Sequence, residues 1–226
     1  MPMRNRSYLA RTTARWALLT LSFAGLLFFT AGTTEIASLR AYITAFSGLL
    51  LVTMLAVHPE LAEERVHAHE GSLDSGARLA TGFLFLVTVT AAAVDVGRLH
   101  ESDAVPAGVR LAALAVFSAA IAFQASAMIV NPFFSPVLRL QTERNHRLIT
   151  RGPYRLLRHP GYLGMVVAIP ASALALGSWL ALIPGLAFSV VIIHRTACED
   201  QFLKMNLPGY THYSEKVRYR LLPGIW

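Results

Sequence analysis

The sequence is poor in charged residues and in cysteine, and both shortages narrow its class. Only 15% of its 226 residues are charged, whereas 54% are hydrophobic. A typical soluble domain has about 25% charged residues. A single cysteine, Cys198, excludes an intramolecular disulfide and leaves the redox compartment open. Because the charges are absent from several long apolar runs, the composition indicates a polytopic membrane protein.

Three familiar binding signatures are also missing. No Gly-x-Gly occurs, so the dinucleotide fingerprint of soluble enzymes is absent. The net charge of +7 comes without a zinc-finger, RNA-recognition or helix-turn-helix pattern, so no nucleic-acid partner is expected. The segment His67-Ala-His69-Glu70 could suggest a metal site, but side chains two apart on a helix diverge by about 200°. No metal site is expected, since no other ligand cluster is present.

The apolar runs predict an all-α fold with about six transmembrane helices. The region Pro160–Ile193 is too long for one span, and Gly177-Ser178 at its centre predicts two antiparallel helices of about 16 residues each. Pro170 and Pro184 are expected to kink these helices and to free backbone groups that the bundle must satisfy. The four earlier uncharged runs are Trp16–Thr34, Ala41–Val57, Leu79–Val94 and Leu111–Val130.

The distribution of Lys and Arg predicts that both termini lie in the cytoplasm. With the N-terminus inside, all but three of the 20 basic residues fall in cytoplasmic segments, the exceptions being Arg40, Arg98 and Arg110. The arginines before the first run would also suit a signal peptide, which the later spans disfavour. We expect a four-span region, 1–130, and a core, 131–226, with the last two spans and a cytoplasmic tail.

Two polar segments border the last spans. In the first, Val137–Gln141 alternates and Thr142–Asn145 offers turn residues, which predicts a small hairpin or an extended lid. Gly152-Pro153 and His159-Pro160 then bound a sharply turned stretch whose backbone groups are expected to be available to a small-molecule ligand.

The second polar segment follows the last span. Arg195 and Glu199 share one helical face there, as either a solvated helix end with a weak ion pair or a functional pair. Cys198 lacks a visible base and is not expected to be a nucleophile.

Several motifs of the C-terminal half resemble one known family. They are Gly152-Pro-Tyr154, Arg158-His-Pro-Gly-Tyr-Leu-Gly164, Arg195 with Glu199-Asp200, Pro208-Gly-Tyr-x-x-Tyr213 and Tyr219-Arg-Leu-Leu-Pro223. In this order they are similar to the isoprenylcysteine carboxyl methyltransferases, which are related to the membrane phospholipid N-methyltransferases. The resemblance runs from about residue 131 onward. It implies an integral membrane enzyme that uses S-adenosylmethionine and methylates a lipophilic or lipidated acceptor presented from the membrane lipid.

The resemblance also implies the site residues. Arg195 is the catalytic candidate, because it would position a carboxylate acceptor that needs no base at neutral pH. Asp200 stands where the family commonly has Glu, which keeps the charge and shortens the reach. Carboxylates and tyrosine rings suit the amino, ribose and sulfonium groups of the cofactor. The cofactor-binding candidates are Gly152, Tyr154, His159, Pro160, Tyr162, Gly164, Glu199 and Asp200.

Other functions stay open from the residues alone. An amine acceptor would need a base such as His194 or His146, as in a phospholipid N-methyltransferase. The sterol and steroid reductases share an Arg-His-Pro-x-Tyr pattern and bind a nicotinamide cofactor such as NADPH, but they commonly have Asn and Glu at the positions of Gly161 and Met165. A transporter or scaffold is disfavoured because the apolar runs have almost no ionisable residue. The oligomeric state is open.

Overall fold

A computed structural model of the chain describes residues 6–61, 75–102 and 105–226. Most of the chain in these ranges is helical, and no strand occurs in them. A π-helical turn, Asp95–Leu99, extends the third of the helices named here. In chain order these helices are α1 Arg6–Ala31, α2 Ala37–Ala56, α3 Ser75–Val94, α4 Ala107–Val130, α5 Pro160–Leu176, α6 Leu182–Asn206 and α7 Tyr210–Lys216.

The chain is a multi-pass integral membrane protein, as predicted. Five helices, α1, α2, α3 with its π-helical turn, α4 and α6, are long and apolar enough to cross a membrane, and α5 is a shorter apolar helix of 17 residues. Gly177 ends α5 in a left-handed conformation with φ +106°, which confirms the expected break. Leu21, Phe29 and Val190 stay exposed on the helix surfaces, as lipid-facing residues do.

Alternate connections between helices meet at one end of the bundle. Arg98 after α3 donates its Nε to the Thr30 carbonyl at the end of α1, at 2.7 Å. Ser178, between α5 and α6, donates its hydroxyl to the buried Asp95 carboxylate. Successive helices therefore run antiparallel, and the remaining polar segments gather at the opposite end, where the candidate site lies.

Helix α5 packs closely on α4 through small residues. A Cβ on Gly164 would lie 2.7 Å from the Ala120 carbonyl oxygen and 2.7 Å from the Gln124 Cβ. Tyr42 on α2 is fully buried and donates its hydroxyl to Ser172 on α5 at 2.9 Å. Close approach through small residues and a few hydrogen bonds between helices is typical of membrane bundles, where lipid supplies little hydrophobic drive for association.

The two prolines of the last helices have different effects. Pro170 lies inside α5 and cannot donate to the Val166 carbonyl one turn earlier. Ser189 on α6 donates its hydroxyl to that carbonyl at 2.8 Å, so the freed group is satisfied within the bundle as predicted. Pro184 lies within its helix as expected, but in the first turn, because α6 begins at Leu182, so the expectation that it frees a backbone group is wrong. In the first turn its missing N–H interrupts no helical hydrogen bond.

The connection between α4 and α5 is irregular. The predicted turn at 142–145 is confirmed, since Asn145 adopts φ +51° and its N–H bonds to the Thr142 carbonyl at 3.0 Å. The hairpin is wrong, because no strand pairing forms within 131–159. Side chains hold the segment instead. Gln141 is fully buried and donates its amide to the Phe133 carbonyl at 2.9 Å.

The close contact of α5 with α4 gives a test of the fold. Gly164→Ala places a methyl group 2.7 Å from a backbone carbonyl, so we expect the helices to separate and stability to fall by about 1–3 kcal/mol. Thermal unfolding in detergent measures the loss. The matched control is Gly48→Ala in α2, where the added methyl meets nothing within 4 Å. Equal melting temperatures for the two variants would contradict the packing described.

Candidate active site

The polar end of the bundle is organised around Asp200 of α6. Its side chain is fully buried, yet both carboxylate oxygens have strong partners. Arg158 approaches one oxygen to 3.1 Å, and Arg220 donates its Nε to the other at 3.0 Å. Tyr210 of α7 donates its hydroxyl at 2.9 Å, and His159 Nε2 lies 3.4 Å away. A buried carboxylate needs such pairing, because an uncompensated charge there would be very costly.

The C-terminal tail closes over this cluster. The backbone N–H groups of Arg158 and His159 donate to the carbonyls of Tyr219 and Arg220 at 2.9 and 3.0 Å. The expectation that these backbone groups are available to a ligand is therefore wrong, because the tail uses them. The Arg220 guanidinium also lies 4.8 Å from the centre of the Trp226 ring. Asp200, the turn before α5 and the tail form one interlocked unit.

Glu199 precedes Asp200 on α6 and has a different environment. It is half-buried, and Tyr162 near the start of α5 donates its hydroxyl to the Glu199 carboxylate at 2.5 Å. Both residues line a narrow cavity of about 70 Å³ whose wall mixes polar and apolar groups. The ring of His159 lies parallel to that of Tyr162, with centroids 5.8 Å apart. Glu199 therefore presents a carboxylate to an aromatic-walled cavity, which Asp200 does not line.

Arg195 lies one turn before Glu199 on the same helix. Only 5% of its surface is exposed, so a solvated helix end is ruled out for this residue. It donates Nη2 to the Pro136 carbonyl at 2.6 Å, and its guanidinium is 5.8 Å from the centre of the Tyr162 ring. Arg195 lines a second cavity, which is apolar over most of its wall and measures about 880 Å³.

The two cavities meet at three residues. Phe134, Ser135 and Tyr162 line both of them, and the Phe134 and Tyr162 rings are 6.0 Å apart. The narrow cavity has mixed polar and apolar walls and lies beside Glu199, whereas the wide one is mainly apolar and extends between the membrane helices. A polar ligand and an apolar ligand bound in the two cavities would contact each other at Tyr162.

The connection before α5 supplies the remaining wall of the narrow cavity. Tyr154 is buried and accepts a hydrogen bond from Asn131 at 3.0 Å, and burial raises the pKa of its phenol. His146 stacks on Phe133 with ring centres 4.5 Å apart. Burial, assisted by the charges of Arg144 and Arg139, lowers the pKa of His146 to about 4. His146 is therefore neutral at physiological pH, and its Nδ1 accepts the N–H of Gln141.

The predicted site residues divide into two groups. Tyr154, His159, Tyr162 and Glu199 line the narrow cavity, and Arg195 lines the wide one. The other four take structural positions. Gly152 has φ +61°, Pro160 begins α5, Gly164 packs on α4, and Asp200 anchors the tail.

Sequence reasoning missed other residues that build the site. Arg158, Tyr210, Tyr213 and Arg220 belong to the motifs that carry the resemblance, which was the available signal for them. Nothing in the sequence pointed to Phe134 or to the stacking of His146. His194, a candidate base, is exposed and lines neither cavity. The segment His67–Glu70 lies outside the described residues, and no cluster of three metal-ligating side chains occurs within them.

Comparison with known proteins confirms the resemblance for part of the chain. Residues 111–205 match the isoprenylcysteine carboxyl methyltransferase (ICMT) family. A probable protein-S-isoprenylcysteine O-methyltransferase of Oryza sativa subsp. indica is 35% identical over 89 residues, 37% of this chain and 45% of the relative. Protein-S-isoprenylcysteine O-methyltransferase B of Arabidopsis thaliana is 28% identical over 37% of this chain and 44% of its own length. The chain thus spans less than half the length of these curated relatives.

One solved structure is similar over more of the chain. The eukaryotic intramembrane Ras methyltransferase ICMT aligns with 96% of this chain and 87% of its own chain, at 18% identity and a TM-score of 0.39. A score this low carries no argument about the present chain, so the site is interpreted from its own geometry.

Because Glu199 and Asp200 have different environments, replacing each carboxylate by the corresponding amide is expected to have different effects on stability. Asp200→Asn removes the charge that pairs two arginines, so we expect a loss of about 3–5 kcal/mol in stability. Hydrogen exchange of residues 217–226 is expected to accelerate as the tail detaches. Glu199→Gln keeps an acceptor for Tyr162 and is expected to change neither quantity. Similar tail exchange in the two variants would contradict the role given to Asp200.

The neutral His146 predicts a dependence of stability on pH. Its pKa is about 4 in the folded protein against 6.5 ordinarily, so the unfolded chain binds the proton first as pH falls. The contribution of His146 to the free energy of unfolding is unchanged above about pH 6.5 and decreases between pH 6.5 and about 4. Melting temperatures in detergent at about pH 7 and about pH 5 are expected to differ less for His146→Gln than for the native chain. An equal difference in both proteins would contradict this environment for His146.

Proposed function

We propose that the protein is a membrane methyltransferase that uses S-adenosylmethionine and methylates the carboxylate of an isoprenylcysteine-like lipophilic acceptor. One observation carries this proposal. A narrow cavity lined by a carboxylate and by tyrosine rings meets an apolar cavity with a buried arginine at Tyr162. Such a pair of cavities suits a water-soluble donor and a membrane-borne acceptor.

The residues of the narrow cavity fit the methyl donor chemically. Glu199 provides a carboxylate for its ammonium or ribose hydroxyl groups, and the rings of Tyr154 and Tyr162 provide an electron-rich wall for a sulfonium. When bound, S-adenosylmethionine supplies a methyl group already activated by the positive sulfur. Asp200 would not contact the donor, because its oxygens are taken by protein partners. It would instead hold the residues around the cavity in place.

The size of the narrow cavity implies a movement on binding. At about 70 Å³ it is smaller than ligand pockets usually are, which measure about 300–1,000 Å³. Its outer wall is the irregular connection 131–150, which includes Phe133 and His146. Helix α6, α7 and the start of α5 form the other side. We infer that the connection moves outward to admit the donor and returns to exclude water from the reacting groups.

The wide cavity favours an anionic acceptor over an amine. Its described lining contains Arg195 and other arginines but no acidic residue. A cation beside the junction would hold a carboxylate near the methyl group, which is catalysis by proximity. An amine would need a base, and neither histidine candidate fits. His146 has a pKa of about 4 and is too weak a base at neutral pH, and His194 lines neither cavity.

Two further assignments belong to this proposal. Most of the described basic residues lie at the same end of the bundle as the site, which supports a cytoplasmic position for both termini and for the donor. The residues that would bind the donor fall almost entirely in 131–226, the proposed core. The four-span region, 1–130, would contribute wall to the acceptor cavity, as Phe46, Thr81 and Gln124 do.

Donor binding tests the proposal directly. Calorimetry in detergent is expected to show micromolar binding of S-adenosylmethionine and of its demethylated product. Glu199→Gln removes a charged acceptor and is expected to weaken donor binding about 10- to 100-fold. The matched control, Glu215→Gln, removes an exposed carboxylate on α7 that lines neither cavity and is expected to bind normally.

Acceptor methylation completes this test. With donor labelled in the methyl group, the label is expected in the carboxylate of N-acetyl-S-farnesylcysteine as a base-labile ester. Binding of NADPH in place of the methyl donor would overturn the proposal and support the reductase alternative. Transfer of the label to the amine of a phospholipid would overturn the choice of a carboxylate acceptor.

A further inference from the structure

The wide cavity contains more positive charge than one carboxylate requires. Four arginines line it, Arg11, Arg15, Arg78 and Arg195, and none of its described lining residues is acidic. Arg195 lies at the junction with the narrow cavity and is assigned above to the methylated carboxylate. Three arginines remain for a different group. Uncompensated charge of one sign at the mouth of a low-dielectric cavity concentrates ligands of the opposite sign.

Helix α1 presents one face to this cavity. Its lining residues are spaced three and four apart, which is the spacing of one helical stripe. The stripe changes character along the helix, from Arg11 and Arg15 near the start to Leu18 and Leu19 deeper in the membrane. An amphiphile with an anionic head and an apolar chain would match this order. The residues of the stripe are Tyr8, Arg11, Thr12, Arg15, Leu18 and Leu19.

Among the residues that the structure describes, these arginines have no acidic partner. Arg15 and Arg78 are exposed and form no salt bridge within the described ranges. Arg11 donates its Nε only to a backbone carbonyl, that of Ser7, at 3.3 Å. Arg78 lies in the first turn of α3, so the three charges come from two separate helices. All three lie outside residues 111–205, the part that matches the methyltransferase family.

We propose that Arg11, Arg15 and Arg78 bind a second anionic group of the acceptor, a phosphate or a carboxylate distinct from the one that is methylated. The acceptor class is then an apolar chain with at least two anions on its head. Identifying the occupant as the acceptor rests on the proposed function, because the same cavity leads to Arg195 and Tyr162. A bilayer phospholipid offers the same anionic chemistry, and the test separates the two sources.

Matched probes test the number of anions. They are two N-acetylated tripeptides that end in S-farnesylcysteine, one preceded by two aspartates and the other by two asparagines. Chain, length and C-terminal carboxylate are the same, and only the added charge differs. With the demethylated donor product bound, calorimetry in an uncharged detergent is expected to show about tenfold tighter binding of the aspartate probe, as two weakly screened ion pairs would give. Added salt is expected to reduce this preference.

Variants locate the preference. Arg15→Gln with Arg78→Gln is expected to reduce it to about twofold or less while leaving the asparagine probe's affinity unchanged. The control removes two positive charges elsewhere, Arg6→Gln with Lys216→Gln, since neither residue lines the cavity. The control is expected to keep the full preference. A similar reduction in both double variants would show a general effect of net charge and would overturn the proposal.

Equal binding of the two probes to the native protein also overturns it. If dioctanoyl phosphatidylglycerol then binds the native protein and only the Arg15 and Arg78 variant loses this binding, the arginines are assigned to a membrane lipid. If the aspartate probe shows no preference but the labelled methyl ester of N-acetyl-S-farnesylcysteine is still formed, only this inference fails and the methyl-transfer function stands. If the methyl donor does not bind but the native protein still prefers the aspartate probe, the proposed function fails and the anion-binding role of the arginines stands.

Discussion

The candidate site depends on the pairing of one buried carboxylate, Asp200, with two arginines. Arg158 comes from the turn before α5, and Arg220 comes from the tail beyond α7. Arg158 is only 7% exposed and could not be held there without an anion, because it would otherwise carry an unpaired charge into a poorly solvated place. The pairing therefore fixes two separate parts of the chain, the turn before α5 and the tail, relative to α6.

Helical geometry gives neighbouring residues of α6 different roles. Adjacent residues point about 100° apart, so Glu199 turns to the narrow cavity while its neighbour Asp200 faces the arginines. Arg195, four residues earlier, lies on the face of Glu199 but one turn nearer the membrane helices. A single helix thereby presents a carboxylate to the narrow cavity and a guanidinium to the wide one. Tyr162 lies between them. A polar donor and a membrane-borne acceptor can therefore approach each other while each stays in its own cavity.

Much of the fold could be predicted from the sequence because the bilayer imposes strong local constraints. The uncharged runs, the break at Gly177 and the satisfaction of the carbonyl freed by Pro170 all follow from length, hydropathy and backbone hydrogen bonding. The position of Pro184 could not be fixed, since it depended on where α6 begins. Alternation in 137–141 suggested a hairpin, but side-chain contacts such as that of Gln141 hold the segment instead.

The roles within the site were harder to predict. Glu199 and Asp200 are adjacent and chemically alike, and only the positions of Arg158 and Arg220 distinguish them. The turn before α5 looked available to a ligand because no helix or strand was expected to use its N–H groups. The tail, some 60 residues later, uses those of Arg158 and His159. Contacts between distant segments carry no periodic signal. The same is true of the wide cavity, whose arginines come from helices far apart in the sequence.

The central claim is that donor and acceptor occupy separate cavities that meet at Tyr162. A structure of the protein with the demethylated donor product and an S-farnesylcysteine probe bound tests it most directly. The account predicts the product beside Glu199 under the 131–150 connection, the farnesyl chain in the wide cavity, and the probe carboxylate between Arg195 and the product's sulfur. A product bound away from Glu199, or a farnesyl chain outside the wide cavity, would contradict it.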